Sequence, residues 1–478
     1  MSARLRISLR NVSYATILLG LAGCAVGPDF QKPEVALPAT HRGAASEKSA
    51  AAIVHSGWWE IYRDPVLQAL IRESLQKGFD VRIATARVEQ ARQYAVQTRS
   101  YYLPSFGVDG GASRGRNQAG GNPSYNRGAT TDDAFAMLNA AWEIDVWGRL
   151  RRANESARAQ YLSTEETARA VTLSLVAEVA QTYFQLLELD LELEIARKTT
   201  DSFSRSARIF GQRREGGVVS KLETSRADAA LAQASATVPD LERQIILVEN
   251  QLSILLGRPP GPITRSARLG QQILPPDIPA GLPADLIAQR PDLRASEQAL
   301  RAANAEIGVS IAEYFPKIGL TAFFGRVSPD LNSFNNSIGN TWSVAGSVSG
   351  PVFQWGRVHA QVGAARARWE EARINHERAV YNALGEVAGA LIAREKLMAV
   401  REQQAKAVQA LTDAVEVSTQ RYVNGKASYY EVLESQQELF PAENALARTE
   451  LNQLLATVQL YKALGGGWQP EPPAVPSK

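Results

Sequence analysis

Apolar and polar positions along this chain follow two patterns, and each pattern occurs twice. Residues 80–101 and 292–314 are rich in alanine and other strong helix formers, and neither run contains proline. Each run is followed by a proline, Pro104 or Pro316, which helices do not readily pass. The pattern therefore predicts one helix in each half of the chain, ending just before these prolines.

A strand-like pattern follows each of these helices. In the stretch 341–355 apolar side chains alternate with small or polar ones, which is the period of two expected of a β-strand. The alternating residues are Trp342, Val344 and Val348 against Ser343, Ala345 and Ser347. Shorter glycine-punctuated or partly alternating segments lie at 105–116, 132–147 and 317–327. We predict one hairpin in each half with strands about ten residues long, the length of a membrane-spanning strand. A small soluble sheet is the alternative.

Long helices are predicted after each hairpin. About 64 residues without proline lead to Arg213 in the first half and to Arg421 in the second. A continuous helix of that length would extend about 95 Å. The first run carries a narrow apolar seam of the coiled-coil type at Leu173, Val176, Ala180, Tyr183 and Leu187. Turn residues then follow at Gly216-Gly217 and Asn424-Gly425, and return helices are predicted over 220–256 and 428–464.

The tripeptide Trp-Gly-Arg occurs at 147–149 and again at 355–357, and a shift of 208 positions aligns the residues that follow it. Before the tripeptide the matching shift is 212, so a four-residue difference falls between Gly107 and Trp147. Order kept over about 180 residues indicates a tandem duplication of one large unit. We assign the first repeat to 64–270 and the second to 271–466, with hairpins at about 103–147 and 315–355.

Four strands per chain are too few to close a barrel in a membrane, where open sheet edges are not tolerated. Several chains must therefore share one barrel if these strands span a membrane. Two chains would supply eight strands and three would supply twelve.

The amino terminus resembles a bacterial lipoprotein signal. Three arginines precede a short apolar run, and Leu21-Ala22-Gly23-Cys24 then places small residues before the one cysteine of the chain. We predict a signal peptide over 1–23, acylation of Cys24, and an anchor and linker segment over 24–63. Ala25 indicates the outer membrane as the destination. An ordinary signal peptide with an incidental cysteine is the alternative. Beyond Cys24 no apolar run is expected to approach the ~18 residues of a spanning helix.

Charge and chemistry exclude several classes of function. The formal net charge of +3 equals the contribution of Arg4, Arg6 and Arg10, so the processed chain is neutral and gives no support for nucleic-acid binding. A single cysteine excludes internal disulfides and cysteine-based zinc clusters. Four scattered histidines form no catalytic arrangement, and we expect His359 and His376 on helix surfaces. With three methionines there is no ladder for Cu(I). We expect that the protein is not an enzyme, that it carries no cofactor other than the covalent lipid, and that it has no metal site.

Several motifs together resemble the outer-membrane efflux proteins of the TolC family, in their lipoprotein branch. They include CAVGPDFQKP (24–33), the pair Trp58-Trp59 with Asp64-Pro65, QRPDLRASEQAL (289–300), Tyr314-Phe315-Pro316 and QRYVNGKASYYEVLESQQELF (420–440). The resemblance covers nearly the whole chain after the signal peptide. The Arg-Pro-Asp-Leu phrase followed by Tyr-Phe-Pro is its most specific part.

The resemblance implies a mixed α/β membrane protein that assembles as a homotrimer. Its twelve-stranded transmembrane β-barrel would continue into a long α-helical barrel across the periplasm. The implied function is that of an exit duct, which passively conducts drugs or other small molecules across the bacterial outer membrane. The implied partners are outer-membrane lipid, a periplasmic adaptor and an inner-membrane pump of the RND type.

The resemblance also implies where the duct is controlled. Acidic residues at the positions of Glu431 and Glu434 ring the constricted periplasmic entrance in the family, and Tyr422 matches a tyrosine that helps hold it shut. Glu223 is the first-repeat counterpart of Glu431. Threefold symmetry would bring six carboxylates from Glu431 and Glu434 to one axis, a ring that favours cations and binds divalent ions. A solvated helix face is the alternative for such a pair.

Two other classes of protein remain possible from the residues alone. A periplasm-spanning structural or adhesive lipoprotein without channel activity would share the long helices and the anchor, but it would not need strands of membrane-spanning length in both repeats. A periplasmic enzyme would need a reactive constellation of side chains, and the sequence shows none.

Overall fold

The computed structural model describes residues 25–42, 58–116, 130–274, 289–328, 334 and 339–466. The predicted signal peptide over 1–23, the predicted acylation site Cys24 and the tail over 467–478 lie outside the described residues.

Contacts within the chain define two compact units, and each contains matching segments of both repeats. The sheet unit comprises the described residues up to Glu34 together with Val88–Thr164 and Ala295–His376. The helical unit comprises the described residues within Val35–Arg87, Glu165–Arg294 and from Glu377 onward. The division by contacts therefore cuts across the two repeats.

Seven α-helices are found in the described part of the chain, and the longest follow the proline-free runs as predicted. In chain order they are α1 Pro65–Lys77, α2 Phe79–Ser100, α3 Arg149–Glu215, α4 Lys221–Leu255, α5 Pro291–Ala312, α6 Arg357–Val423 and α7 Tyr429–Ala463. Helices α3 and α6 each contain 67 residues, and α4 and α7 each contain 35. Short 3₁₀ helices lie at Trp58–Tyr62 and Leu269–Gln271.

Four antiparallel strands form one sheet in the order β1-β2-β3-β4. Their bounds are β1 Ser105–Arg116, β2 Thr130–Ile144, β3 Lys317–Ser328 and β4 Asn340–Ser349. Ser105 lies opposite Ala141 in the first hairpin, and its counterpart Lys317 lies opposite Ser349 in the second. The two hairpins thus have equivalent registers, which assigns the four-residue difference between the repeats to the segment joining β1 and β2. Strands β2 and β3 pair with each other and join the hairpins.

The two faces of this sheet differ in chemistry. Phe106, Val108, Leu138, Phe324, Trp342, Val344 and Val348 share one face by register, and each is more than 60% exposed. Most positions between them on the strands are small or polar, and on that opposite face Asn139 donates a hydrogen bond to Asp109. An antiparallel sheet with one exposed apolar face requires an apolar medium or a partner to cover that face.

The core of the helical unit is built on the predicted seam of α3. Val176, Ala180, Tyr183 and Leu187 are all 2% exposed or less, and the ring of Phe184 packs 5.1 Å from that of Tyr62. Burial of these side chains is the main favourable contribution to the packing of this long helix, at ~25 cal/mol per Å² of apolar surface.

Asp64 connects three segments of the helical unit. Its carboxylate caps α1 by accepting from the N–H of Leu67 at 3.0 Å. It also accepts from Ser266 at 2.6 Å, Gln272 at 3.0 Å and Tyr183 at 3.2 Å. Burial alone raises the pKa of Asp64, but these hydrogen bonds outweigh burial and hold the pKa below its ordinary value. The carboxylate is therefore charged and structural.

Two expectations from the sequence are wrong. Helix α3 contains an 18-residue window long and apolar enough to span a membrane, although none was expected; 56% of that window is buried inside the protein, as in the core helix of a soluble protein. His376 was expected on a helix surface but is only 1% exposed. Its Nδ1 lies 2.7 Å from Ser296 Oγ inside the sheet unit, and this contact replaces the water that burial removes from the ring nitrogen. Burial lowers the pKa of His376.

Candidate functional site

The turn that ends α3 is closed by its own backbone. The N–H of Val218 donates to the carbonyl of Arg213 at 2.9 Å, and that of Gly217 donates to Arg214 at 2.9 Å. Gly217 has φ 71°, a left-handed conformation that glycine adopts without steric cost. This is a Schellman motif, which satisfies the last carbonyl groups of the helix.

The turn that ends α6 repeats this geometry. Lys426 donates to the carbonyl of Arg421 at 2.8 Å, Gly425 donates to that of Tyr422 at 3.0 Å, and Gly425 has φ 70°. The predicted turn residues at Gly216-Gly217 and Asn424-Gly425 therefore form two equivalent reversals, both within the helical unit. Tyr422 lies in the last turn of α6, where its backbone carbonyl takes part in the motif.

Glu223 and Glu431 occupy equivalent positions in the helices that follow these turns. Glu223 is the third residue of α4, and its carboxylate accepts from the backbone N–H of Ser220 at 2.7 Å. Glu431 is the third residue of α7 and accepts from the N–H of Ser428 at 3.2 Å. Each carboxylate thus completes a capping box and is favourably placed near the positive end of its helix.

Glu434 lies one turn after Glu431 on α7. Both side chains are exposed, whereas Val432 and Leu433 between them are buried at 3% and 7% exposure. The predicted acidic pair therefore shares one exposed face of α7, and the apolar residues anchor the opposite face. Both carboxylates are therefore exposed on the surface of the chain.

Tyr422 belongs to an aromatic cluster that the sequence did not predict. Its ring lies 5.5 Å from Phe210 of α3 and 6.1 Å from Tyr429 of α7, and those two rings are 3.8 Å apart. The guanidinium of Arg213 lies 4.5 Å from the centre of the Tyr422 ring. Phe210 and Tyr429 are 1% and 5% exposed. The cluster therefore joins the end of α3, the end of α6 and the start of α7.

The repeat comparison contained a signal for this cluster. A shift of 208 positions places Tyr422 over Arg214, Tyr429 over Lys221 and Phe210 over Ser418. Each aromatic residue thus lacks an aromatic counterpart in the other repeat. The two turns have the same backbone geometry, but the aromatic side chains around them are not repeated at equivalent positions.

The tyrosines of the cluster stay neutral. Burial raises the pKa of Tyr422, an effect that Arg213 opposes and that the charge of Glu223 reinforces. Burial and the neighbouring Tyr422 raise the pKa of Tyr429 to about 12. Among the described residues the buried hydroxyl of Tyr429 has no hydrogen-bond partner. The cluster is therefore held mainly by ring packing and the cation–π contact.

The interactions that the structure shows here are ring packing, a cation–π contact and exposed carboxylates. Within the described ranges no three His, Cys, Asp or Glu side chains are grouped to hold a metal ion. What the arrangement provides is mechanical and electrostatic: a packed aromatic contact between helix ends, beside an exposed acidic face.

The family model described as outer membrane efflux protein matches residues 70–258 and 282–466. The solvent efflux pump outer membrane protein SrpC of Pseudomonas putida is 34% identical over 94% of this chain and 97% of its own length. The cation efflux system protein CusC of Escherichia coli strain K12 is 32% identical over 94% of this chain and 98% of its own. The solved outer-membrane channel OprN superposes with a TM-score of 0.84 at 30% identity, covering 94% of this chain and all of OprN.

Helices α3 and α6 each end in an equivalent turn, and the four-stranded sheet has one exposed apolar face. These features agree with the matches over nearly the whole chain. The chain belongs to the outer membrane efflux protein family, and it is the outer-membrane exit channel of a tripartite efflux pump.

Proposed function

We propose that the channel is a homotrimer in which three four-stranded sheets close into one twelve-stranded barrel, continued by a periplasmic tunnel of helices. The observation that carries this proposal is the sheet itself. Its apolar face is exposed, and within the chain β1 and β4 each lie at an edge of the four-strand order. Free edges are not tolerated in lipid, so neighbouring copies must pair with them.

Each protomer is built from the two repeats, 64–270 and 271–466, after an anchor segment that begins at an acylated Cys24. Two or more acyl chains hold a protein firmly on a membrane, whereas one alone is reversible. The lipid would fix the amino terminus at the inner leaflet of the outer membrane while the strands cross it.

The channel conducts passively and does not catalyse a reaction. Drugs and other small molecules would enter from a periplasmic adaptor and an inner-membrane pump of the RND type. SrpC is named for solvents and CusC for cations, although both resemble this chain to a similar degree. Because the two names refer to different compounds, they support a duct whose cargo is selected by the pump.

The entrance rests closed at the turns after α3 and α6. Packing of Tyr422 on Phe210 and Tyr429 supports the closed state, because these contacts hold helix ends from both repeats together. Glu431 and Glu434 of three copies would form the constriction and set its preference for cations. Close carboxylates repel one another unless screened or bridged by ions, so closure must come from the packing.

A groove of about 500 Å³ gives the adaptor a place to act on this closed state. Residues of α3, α6 and α7 line it, and it is bridged by Lys198 with Glu443 at 3.2 Å and by Gln436 with Ser202 at 3.0 Å. A helical segment inserted there would separate the helices whose ends carry the aromatic cluster.

Native mass spectrometry of the detergent-extracted full chain, followed by single-channel recording in planar bilayers, tests the proposal. We expect a trimer as the dominant species and cation-selective conductance that divalent ions block. A stable monomer recovered from a lipid-free wash would instead favour a periplasmic rod. A dimer would contradict the twelve-stranded barrel.

A further inference from the structure

Trp147, in the first Trp-Gly-Arg tripeptide, packs on the residues that precede β3. Its ring stacks on Phe315 with 4.6 Å between ring centres, and its indole N–H donates to the carbonyl of Pro316 at 2.8 Å. All three residues lie in the sheet unit. This contact therefore ties the end of β2, in the first repeat, to the start of β3, in the second.

Trp355, in the second tripeptide, lacks this cover. Its side chain is 89% exposed, and its ring meets Phe353 edge-on at 4.6 Å. Its φ of 50° lies in the left-handed region, which costs a residue other than glycine ~1–2 kcal/mol. Such a conformation persists where surrounding contacts impose it. A large aromatic residue that is both strained and exposed points to a contact outside its own chain.

The chain also exposes the matching half of that contact. The 212-position shift between the repeats places Leu103 and Pro104 under Phe315 and Pro316. Leu103 is 70% exposed, Pro104 is also exposed, and both border a groove of about 800 Å³. One chain therefore exposes a tryptophan after β4. Before β1 it exposes Leu103 and Pro104, the equivalents of the two residues that cover Trp147.

The strand registers support this correspondence. The shifts of 212 and 208 convert the β1–β2 register into that observed for β3–β4. Applied to the β2–β3 pair, where Asn139 faces Phe323, the same shifts place Ser347 of β4 opposite Gly111 of β1. Both are edge strands of the sheet, so this pairing is available to two copies of the chain.

We propose that Trp355 packs against Leu103 and Pro104 of a neighbouring copy, repeating between copies the contact that Trp147 makes with Phe315 and Pro316 within one. The indole N–H of Trp355 would donate to the Pro104 carbonyl, as that of Trp147 donates to Pro316. This inference rests on the proposed oligomer and adds the contact that fixes each β4 beside the next β1. We assign this contact to a second copy of the chain. The equivalent tryptophan, Trp147, is covered by Phe315 and Pro316, which align with Leu103 and Pro104 in the first repeat.

Two pairs of cysteine substitutions test the inference in the full chain, whose one natural cysteine is Cys24. The pair S347C with G111C reports strand pairing, since directly opposed residues lie ~4.5–5.5 Å apart and form a disulfide on mild oxidation. The pair W355C with L103C reports the proposed contact through a short bis-maleimide cross-linker. The pair W355C with V96C is the matched control, since Val96 on α2 is also exposed but does not border the groove beside Leu103 and Pro104.

We expect covalently linked copies from S347C with G111C and from W355C with L103C, and none from W355C with V96C. The variant W355A should lower the temperature at which the oligomer dissociates, whereas V352A, at a fully exposed neighbour, should not. If S347C and G111C join but W355C and L103C do not, the oligomer stands and lipid, rather than a second copy, covers Trp355. If native mass spectrometry finds only monomer, the proposed function falls, and this contact with it.

Discussion

The carboxylate of Glu431 accepts a hydrogen bond from the backbone N–H of Ser428 at 3.2 Å, so a residue proposed to line the entrance also caps helix α7. Glu223 makes the equivalent bond to Ser220 at 2.7 Å. Replacing either glutamate by alanine would remove both a charge and a cap, and loss of a cap costs ~0.5–2 kcal/mol. Glutamine retains the hydrogen bond, because it also serves in capping boxes.

The double variant E431Q/E434Q should therefore lose cation selectivity while keeping its stability. The reason is that three copies lose six carboxylates at the constriction without losing the α7 cap. Reversal potentials across planar bilayers under a salt gradient should shift toward zero, and block by divalent ions should weaken. E395Q, at a 60% exposed glutamate on α6, is the control. Unchanged selectivity and divalent block in the double variant would make these residues a solvated face.

The variant Y422A should raise the basal conductance of the isolated channel. It removes ring contacts with Phe210 and Tyr429 and the cation–π contact with Arg213. Together these contacts are worth about 1–3 kcal/mol, or about 5- to 150-fold in the equilibrium between closed and open states.

Y422F is the informative companion, because it retains the ring and should conduct nearly as the parent does. Y430A removes an adjacent tyrosine that is 60% exposed, and it should leave the conductance unchanged. Equal conductance of Y422A and the parent would show that the aromatic cluster does not hold the entrance shut.

Stability of the helical unit should fall as pH rises. Burial, reinforced by the neighbouring Glu192, raises the pKa of Glu188 to about 7, and Arg448, which lies 3.4 Å from Glu192, opposes this shift. Glu188 and Glu192, both on α3, are 5% and 8% exposed. Because the folded pKa lies above the unfolded value of ~4.3, the folded state binds the extra proton. The stability that protonated Glu188 contributes is fully present below the unfolded pKa of ~4.3, and it is lost as pH rises through the folded pKa of about 7.

The variant E188Q removes this titration. We expect its denaturant midpoint to vary less than that of the parent between pH 5 and pH 8, and to exceed it at pH 8. The corresponding difference in the free energy of unfolding between E188Q and the parent should be on the order of 2–3 kcal/mol per chain at most. E395Q, on the solvent side of α6, should follow the parent. Parallel pH profiles of E188Q and the parent would mean that Glu188 is ionised throughout.

Intact-mass analysis should find a mature chain that starts at Cys24 and carries a lipid-sized addition. This expectation rests on the Leu-Ala-Gly-Cys site and on the absence of any other cysteine. C24S should lack the addition and accumulate uncleaved, because the peptidase that cuts before a lipidated cysteine requires the thiol. A mature protein with a free amino terminus elsewhere would refute the anchor.

Sequence patterns alone predicted six of the seven described α-helices and all four described strands, in the correct order, but not α1 Pro65–Lys77. Proline-free runs predicted α3 and α6, glycine pairs predicted the turns, and alternation at Trp342 and Val344 predicted β4, because these signals depend on neighbours in the chain. The Ser-x-x-Glu spacing at Ser220 and Ser428 also contained both capping boxes. The duplication came from the sequence as well, since repeats are visible without any three-dimensional contact.

Only the tertiary structure decided which faces meet. Phe210 and Tyr422 are more than two hundred positions apart, and their contact depends on how α3 and α6 are rotated about their axes. The same holds for His376, which a helical pattern places equally well inside or outside. Pairing of β2 with β3 likewise depends on the packing of two hairpins distant in sequence. Local periodicity defines a helix or strand, but its azimuth and neighbours follow from burial summed over the whole assembly.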